Sequence, residues 1–588
     1  MAKRIAVIEE DKCFPDKCGN YLCIRVCPVN RQGPECIYKA ESGKAAIHTE
    51  LCIGCMICPK KCPFGAIHII NLPSELEKEP IHQYGENGFH LYSLPTPIFG
   101  KVVGIVGRNG IGKSTAIKIL AGLIQPNLGR FEKEGNVDFK EIINYFKGTE
   151  AQIFFEKLRD GKITIAYKPQ AVDMIPKQFS GRVIDLLKKA DQKDQLQEVI
   201  AALELQDILE HDIQHISGGE LQRVAIAATA LKNANVYLFD EPTSFLDSKQ
   251  RIHVSRFIKS LADEETAVLV IEHDLIILDS MTDVVQIMYG EAGAYGIVSQ
   301  IKATKQGINA YLAGYLKEEN MRFRDHAIVF EAKAPVDIKK KETLTAWQGI
   351  AMQLDGFSLS APDGTITKHA VIGVLGENGI GKTTFVKILA GVLKAKAGNI
   401  EKNVKVSYKP QYLSSDSEEL VMNVLQRAVQ KYDAQLIRPL DLQPLFLKKM
   451  NMLSGGELQR VAIAKCLQED AYLYLLDEPS AYLDIEQRLI LSKVLRRFME
   501  EKGASALIVD HDVLFLDYIS NELMVFEGAP AKNGRATGPF PMEQGMNAFL
   551  QKVNITMRRD PESKMPRVNK TDSRLDREQK KTGKWYYH

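Results

Sequence analysis

The chain has 588 residues, 26% of them charged and 45% hydrophobic, with a formal charge of +2. That length exceeds one core and calls for roughly three to five globular units, and the composition excludes wholesale disorder. A near-neutral charge leaves nucleic-acid contacts to local basic patches. No apolar run of roughly 18 to 20 residues exists to span a bilayer, and the start MAKRIAVIEEDKC has no secretory pattern, so a cytosolic protein is expected.

Nine of the ten cysteines fall between residues 13 and 62, and Cys466 stands alone. In a cytosolic chain such clustering points to metal rather than disulfides. Cys52-x2-Cys55-x2-Cys58-x3-Cys62-Pro63 is the bacterial ferredoxin run, whose fourth cysteine serves the neighbouring cluster in two-cluster ferredoxins. Upstream, Cys13-x4-Cys18-x4-Cys23-x3-Cys27-Pro28 has wider spacing but the same ending. The same crossing assigns Cys13, Cys18, Cys23 and Cys62 to one 4Fe-4S cluster, and Cys52, Cys55, Cys58 and Cys27 to a second. Cys36 is left over; it and Cys466 read as small buried hydrophobes. Structural zinc also uses cysteine pairs, but two Cys-x3-Cys-Pro endings favour iron-sulfur. Whether the clusters move electrons or only brace a domain too small for a core stays open at this point.

The remaining chain is an internal repeat. SGGELQRVAIA occurs at 217–227 and again at 454–464. Around each copy the other strings recur in order. GRNGIGKST (107–115) and GENGIGKTT (376–384) come first, then YKPQ (167–170 and 408–411), LFDEP and LLDEP ending at Pro242 and Pro479, and EHD (272–274) and DHD (510–512). The first pair are P-loops, each after an apolar strand and before a helical run. Gly107, Asn109, Gly110 and Gly112, like Gly376, Asn378, Gly379 and Gly381, let backbone N–H groups face phosphates. Lys113 or Lys382 meets the β/γ oxygens, and Ser114 or Thr383, followed by Thr115 or Thr384, holds Mg²⁺. Asp240 and Asp477 end apolar strands as metal-side carboxylates, and Glu241 and Glu478 are placed to orient the attacking water. His273 and His511 are expected at the γ-phosphate. Gln170 and Gln411, matched in both copies, suit Mg²⁺ and water.

The first copy is longer: 57 residues separate Lys113 from Gln170, but only 29 separate Lys382 from Gln411. The excess, at about 135–163, predicts a helix-loop-helix with Thr149 as an N-cap. Its aromatics Phe139, Tyr145, Phe146, Phe154 and Phe155 are read as packing rather than base-stacking platforms, while the lysines of its loop remain open to a partner. Each copy ends in a similar arm, GINAYL…MRFRD at 307–325 and GMNAFL…MRRD at 545–560. Residues 558–588 carry ten Lys/Arg and five Asp/Glu. That composition reads first as a solvated tail, and second as a segment touching RNA phosphates.

P-loop, Gln170 and Gln411, SGGE signature, Asp–Glu pair, Asp247 and Asp484, and switch histidine, in this order, resemble the ABC ATPase family. In that family the signature of one module faces the P-loop of the other. The resemblance thus implies two composite sites: Lys113, Gln170, Glu241 and His273 with Ser454, Gly455 and Gly456, and Lys382, Gln411, Glu478 and His511 with Ser217, Gly218 and Gly219. A two-cluster domain before two such modules, with the insert and the Arg-bearing arms, resembles one subfamily, the ABC-E ribosome-recycling ATPases (RNase L inhibitor family). That resemblance implies splitting of ribosomes after termination or rescue, small-subunit and ribosomal RNA contact, a release or Pelota-type factor alongside, and a monomer. It also implies an aromatic residue stacking on adenine, with Tyr84 or Phe89 in the first half and Phe357 in the second.

Two departures from strict duplication, Ile216 for Leu453 and EHD for DHD, remove no catalytic group. A membrane transporter lacks its spanning segments here. A chromosome-maintenance ATPase needs hundreds of coiled-coil residues between P-loop and signature, where this chain has 110 and 78. The runner-up is an ATP-gated redox or iron-sulfur carrier protein.

The expected architecture is an α+β ferredoxin-like iron-sulfur domain (1–75) plus two α/β ABC-type P-loop nucleotide-binding domains. These lie at 76–320 and 346–545, with a hinge at 321–345 and a hinge arm and basic tail at 546–588.

Overall fold

Three five-residue strands in each repeat are buried from end to end, as strands of a parallel sheet covered on both faces are. The computed structural model describes residues 4–71, 79–130, 137–330, 342–354, 356–401, 404–411 and 416–586. The residues outside this description include 72–78 after the iron-sulfur strands, 135–136 of the predicted insert, 331–341 of the predicted hinge and 587–588 of the predicted tail.

In the first repeat the strands Ile165–Lys168, Val236–Asp240, Ala267–Ile271, Val102–Val106 and Val284–Glu291 run parallel in that spatial order, and Tyr295–Val298 continues the sheet antiparallel. The second repeats the order with Val406–Lys409, Leu473–Asp477, Ser505–Val509, Val371–Leu375 and Glu522–Glu527, followed by antiparallel Asn533–Pro541. The register recurs as well: Asp240 pairs with Ile271, and Asp477 with Val509. Every P-loop therefore leaves the carboxyl edge of its sheet, where ligands of open α/β sheets bind. Among the described residues no helix is long and apolar enough to cross a membrane.

By internal contacts the chain divides into two compact units. The first holds Met1–Ser244, Arg256–His273 and Met281–His326; the second holds Phe245–Ser255, Asp274–Ser280 and Ala327–His588. In the first unit the insert folds as predicted, with helices Phe139–Tyr145 and Glu150–Arg159. Phe146, Phe154 and Phe155 are buried in the core of the sheet domain, and Phe146 stacks on Phe155 at 5.2 Å, so these rings pack. Thr149 does occupy the N-cap position, but its hydroxyl donates backwards to the Phe146 carbonyl (2.7 Å) and caps no helical N–H.

The cysteine-rich segment has little regular structure. Arg4–Ile8 pairs antiparallel with Ile67–Asn71, Ile37–Lys39 pairs with Ala45–Ile47, and helices Leu22–Val26 and Ile57–Lys61 are five residues each. It docks on the rest of the first unit through a buried apolar cluster, Ile5 and Val7 with Tyr92, Ala294 and Ile297, and through polar groups. The Asn87 amide donates to the Ala6 and Ile47 carbonyls (2.9 Å each) and accepts from the Ile47 N–H (2.8 Å). His68 lies between two carboxylates, Glu291 at 2.6 Å and Glu9 at 2.9 Å.

The C-terminal segment is folded, which corrects the solvated-tail reading in part. Met557–Arg559 pairs with Pro566–Val568, and Arg574–Thr582 is a helix. Arg567, only 1% exposed, is ion-paired with Asp279 and with Asp560 (3.2 Å). Asn569 donates to Thr556 Oγ1 (2.8 Å) and to Gln579, and Thr556 donates to Asp576 (2.6 Å). Arg567 is thus paired internally, whereas Lys564, Lys570, Arg574, Arg577, Lys581 and Lys584 stay exposed.

Two predictions follow from buried charge. Replacing Arg567 by Met strands Asp279 and Asp560, and breaking one side of a buried pair costs about 3–5 kcal/mol. The C-terminal transition in urea, followed by Trp585 fluorescence in a Trp347→Phe background, is expected to shift to lower urea, and an unchanged midpoint would refute the pairing. His68, ordinarily at 6.5, is pushed up to about 9 by hydrogen bonds to Glu291 and Glu9, against the effect of burial. Its contribution is therefore fully present below pH 6.5 and lost as pH rises through 9. His68→Gln should lower the melting temperature at about pH 6 and leave it unchanged at about pH 10; equal lowering at both would contradict the clamp.

Candidate functional site

The P-loops lie where the sequence puts them, between Val102–Val106 and helix Lys113–Leu120, and between Val371–Leu375 and helix Lys382–Leu389. Gly112 and Gly381 cap these helices at φ 86° and 92°, a left-handed backbone that glycine adopts without strain. A side chain there would also strike Phe89 or Phe357, whose rings lie 2.6 Å and 2.9 Å from the added Cβ. The two phenylalanines thus hold equivalent places against the phosphate loops. Tyr84, by contrast, is 46% exposed, with its hydroxyl 3.4 Å from Thr115 Oγ1 and its ring T-shaped to His82 at 4.6 Å.

Lys113 donates to the carbonyls of Gly107 (2.9 Å) and Arg108 (2.6 Å), and Lys382 to those of Gly376 (2.9 Å) and Glu377 (2.5 Å). Burial pushes Lys382 down to about 8, against the pull of Asp247, Glu478 and Asp477, so a phosphate brought to it meets an ammonium with little competing water.

Asp240 and Asp477 end their strands with both carboxylate oxygens buried and without a protein hydrogen-bond partner, beside the hydroxyls of Ser114 and Thr383. Burial raises both, Asp477 to about 6. Orphaned buried carboxylates beside a hydroxyl fit a hydrated divalent cation, which would reverse those shifts.

The neighbouring glutamates are held the other way. Burial alone would raise Glu241, but His273 (3.3 Å), Lys113 and Gln170 bring it down to about 2. Gln170 donates to its Oε1 at 2.8 Å. Glu478 is lowered likewise against burial, with His511 at 3.4 Å and Gln411 donating at 2.6 Å. Each module thus keeps one carboxylate ionised and aimed at the P-loop side of the sheet. The EHD/DHD difference also has a local cause. Glu272 accepts from the Thr243 N–H (3.0 Å) and hydroxyl (2.6 Å), and the shorter Asp510 accepts from Ser480 in the same way (3.0 and 2.7 Å).

Ser217 and Ser454 are N-caps of helices Gly218–Ala230 and Gly455–Leu467, each closed by a capping box with Glu220 or Glu457. Gly218 and Gly455, exposed, and Gly219 and Gly456, half-buried, form the first turns, an arrangement suited to an anion. Asp484 caps helix Ile485–Lys502 through the Gln487 N–H (2.9 Å). In the second unit Asp247 accepts from the Asn378 N–H (2.9 Å), joining the D-loop aspartate of the first repeat to the second P-loop.

The thiols form two groups. Cys13 and Cys23 are raised by burial and by the proximity of Cys18 and Cys62, Cys23 to about 11. Cys58 is raised to about 12 by burial, then by Cys52, Cys55 and Cys27. Cys27, Cys52, Cys55 and Cys58 line one cavity. Among the described residues no group of His, Cys, Asp or Glu gathers around a single metal ion; thiols set around a cavity fit a polynuclear cluster, whose iron would lower their pKa values. Cys36 is buried as expected, yet it lines the same cavity in contact with Cys27 and Cys52.

Two residues per module escaped the sequence reading: Lys168 and Gln222, and Lys409 and Gln459. All four are at most 1% exposed, and they bind the backbone of the Asp–Glu pairs. Their signal lay inside the repeated strings YKPQ and SGGELQRVAIA.

Fold and site together define a tandem ABC-type ATPase with an iron-sulfur domain. Residues 99–244 and 359–481 match the ABC transporter family, 4–35 a possible Fer4-like domain in RNase L inhibitor, and 45–68 a 4Fe-4S binding domain. An uncharacterised ABC transporter ATP-binding protein of Methanocaldococcus jannaschii is 50% identical over 99% of this chain and 97% of its own length. ABC transporter E family member 1 of Arabidopsis thaliana is 44% identical over 99% and 98%. A solved structure, described as a model of ribosome-bound archaeal Pelota and ABCE1, superposes with a TM-score of 0.93 at 50% identity, covering 100% of this chain and 99% of that one. The chain belongs to the ABC-E, or RNase L inhibitor, family.

Changing Glu241 and Glu478 to Gln together should lower phosphate release by about 100-fold or more while leaving ATP binding intact. Turnover within a few-fold of the unaltered chain would remove both residues from the chemistry.

Proposed function

We propose that this ATPase recycles ribosomes, splitting them into subunits after termination or rescue. The observation that carries the reading is full-length similarity, in sequence and fold, to the ribosome-bound protein solved with Pelota. A Pelota-type rescue factor or a release factor is the expected partner, with contacts chiefly to the small subunit and its RNA, and the protein acts as a cytoplasmic monomer.

In this reading residues 1–75 form the iron-sulfur domain, 76–320 and 346–545 the ABC domains, 321–345 the hinge, and 546–588 the C-terminal arm. Cys13, Cys18, Cys23 and Cys62 hold one 4Fe-4S cluster, and Cys27, Cys52, Cys55 and Cys58 the other. Bound clusters supply rigidity to a domain with little regular structure.

Lys113 and Lys382 hold the β/γ-phosphates, and Ser114, Thr383, Asp240 and Asp477 hold Mg²⁺, which neutralises developing phosphate charge when bound. Gln170 and Gln411 orient that side of the site. Glu241 and Glu478 orient the attacking water, with His273 and His511 fixing their carboxylates. The signature turns at Ser217 and Ser454 each serve the P-loop of the other module, with Asp247 and Asp484 between them, and Tyr84 stacks on the base. ATP bound between modules favours a closed state, and closure displaces the iron-sulfur domain against the ribosome.

Sedimentation of ribosomes with the protein, ATP and a rescue factor tests this. ATP-dependent conversion to subunits is expected, lost in a Cys55→Ser/Cys58→Ser chain. No conversion and no ribosome-stimulated turnover would overturn the reading.

A further inference from the structure

Glu241 and Glu478 have φ of 46° and 48°, a left-handed backbone that costs a non-glycine residue roughly 1–2 kcal/mol. Their amides are secured by the adjacent strand, Glu241 N–H to the Ile271 carbonyl (3.1 Å) and Glu478 N–H to the Val509 carbonyl (2.8 Å). That turn sends the next carbonyl into the interior, away from any strand partner. In the first module the Glu241 carbonyl accepts from Gln222 Nε2 (2.7 Å) and Lys168 Nζ (3.2 Å), and the Asp240 carbonyl accepts from Lys168 (3.0 Å). In the second, the Glu478 carbonyl accepts from Gln459 (2.6 Å) and Lys409 (3.2 Å), and the Asp477 carbonyl from Lys409 (2.7 Å).

We infer that Lys168 with Gln222, and Lys409 with Gln459, are positioning residues for hydrolysis: they lock the peptide after each water-orienting glutamate in its left-handed form and so fix where the carboxylate points. A buried ammonium used only for packing would be an expensive choice; burial already pushes Lys168 and Lys409 down to about 8. Each donor also comes from an element that carries another part of the site. Lys168 and Lys409 end the strands that deliver Gln170 and Gln411 to the same carboxylates. Gln222 and Gln459 stand on the helices begun by Ser217 and Ser454. The glutamate peptide is therefore the point where strand end and signature helix of one module meet, and a shift of either re-aims the carboxylate.

This rests on the assignment of Glu241 and Glu478 above, and the experiment separates the two. The full chain carrying Gln222→Leu and Gln459→Leu keeps the lysine bonds, so neither carbonyl is orphaned. Its kcat should fall about tenfold or more with ATP affinity, read by a fluorescent analogue, within about twofold. Lys168→Met with Lys409→Met should deepen the loss in kcat. Placed on Glu241→Gln/Glu478→Gln, the Gln→Leu pair should reduce turnover no further, since groups acting through one residue are non-additive. Unchanged kcat, a loss confined to ATP affinity, or a further additive loss on the Glu→Gln chain would overturn the inference. Full turnover in the Glu→Gln chain itself would instead overturn the assignment of the glutamates.

Discussion

At the buried end of one parallel strand in each repeat, the chain places two carboxylates in succession, Asp240–Glu241 and Asp477–Glu478. Two such groups side by side in a low dielectric cannot both stay charged without compensation. The surroundings divide the problem. The aspartates are pushed toward protonation by burial, against the Ser114 or Thr383 hydroxyl beside them, while histidine, glutamine and P-loop lysine keep the glutamates ionised. A cation at the aspartates would complete the arrangement and fits a metal-bearing nucleotide. The left-handed glutamate, the buried lysine beneath it and the signature-helix glutamine are further consequences of the same strand end.

The iron-sulfur segment follows a different constraint. Its paired strands and five-residue helices supply little core, so thiol ligation and docking must hold it. Docking is local: Ile5 and Val7 pack with Tyr92, Ala294 and Ile297, Asn87 threads between Ala6 and Ile47, and His68 bridges Glu9 to Glu291. The segment from Tyr84 to Phe89 that approaches the first P-loop also contains Asn87, and Glu291 is followed by a loop in which the Gly293 N–H donates to the Gly110 carbonyl (2.9 Å). Phosphate loop and iron-sulfur domain are therefore joined through two short loops.

Much of this was legible because it repeats or because its spacing is chemical. The duplicated strings place both P-loops, both Asp–Glu pairs and both histidines at the ends of matching strands, and the two Cys-x3-Cys-Pro runs bring the thiols together. What escaped depends on long-range pairing. His68 meets a glutamate 223 residues away, and Arg567 meets Asp279, 288 residues away, so composition alone made the tail look solvated. Lys168 and Gln222 lay in plain view inside repeated strings but read as flanking residues, since only the left-handed turn at Glu241 gives them a carbonyl to bind. Cys36 reads correctly as buried, but its place beside Cys27 and Cys52 follows from a loop path that spacing does not encode.

In the proposed function, nucleotide bound at both sites moves the iron-sulfur domain. Single-molecule energy transfer between dyes on that domain and on the second ABC domain tests it directly, using the Glu241→Gln/Glu478→Gln chain with and without Mg-ATP. The account predicts a second distance population that appears with Mg-ATP, persists because hydrolysis is blocked, and disappears when Lys113 and Lys382 are also replaced. One unchanged distance under saturating Mg-ATP would contradict it.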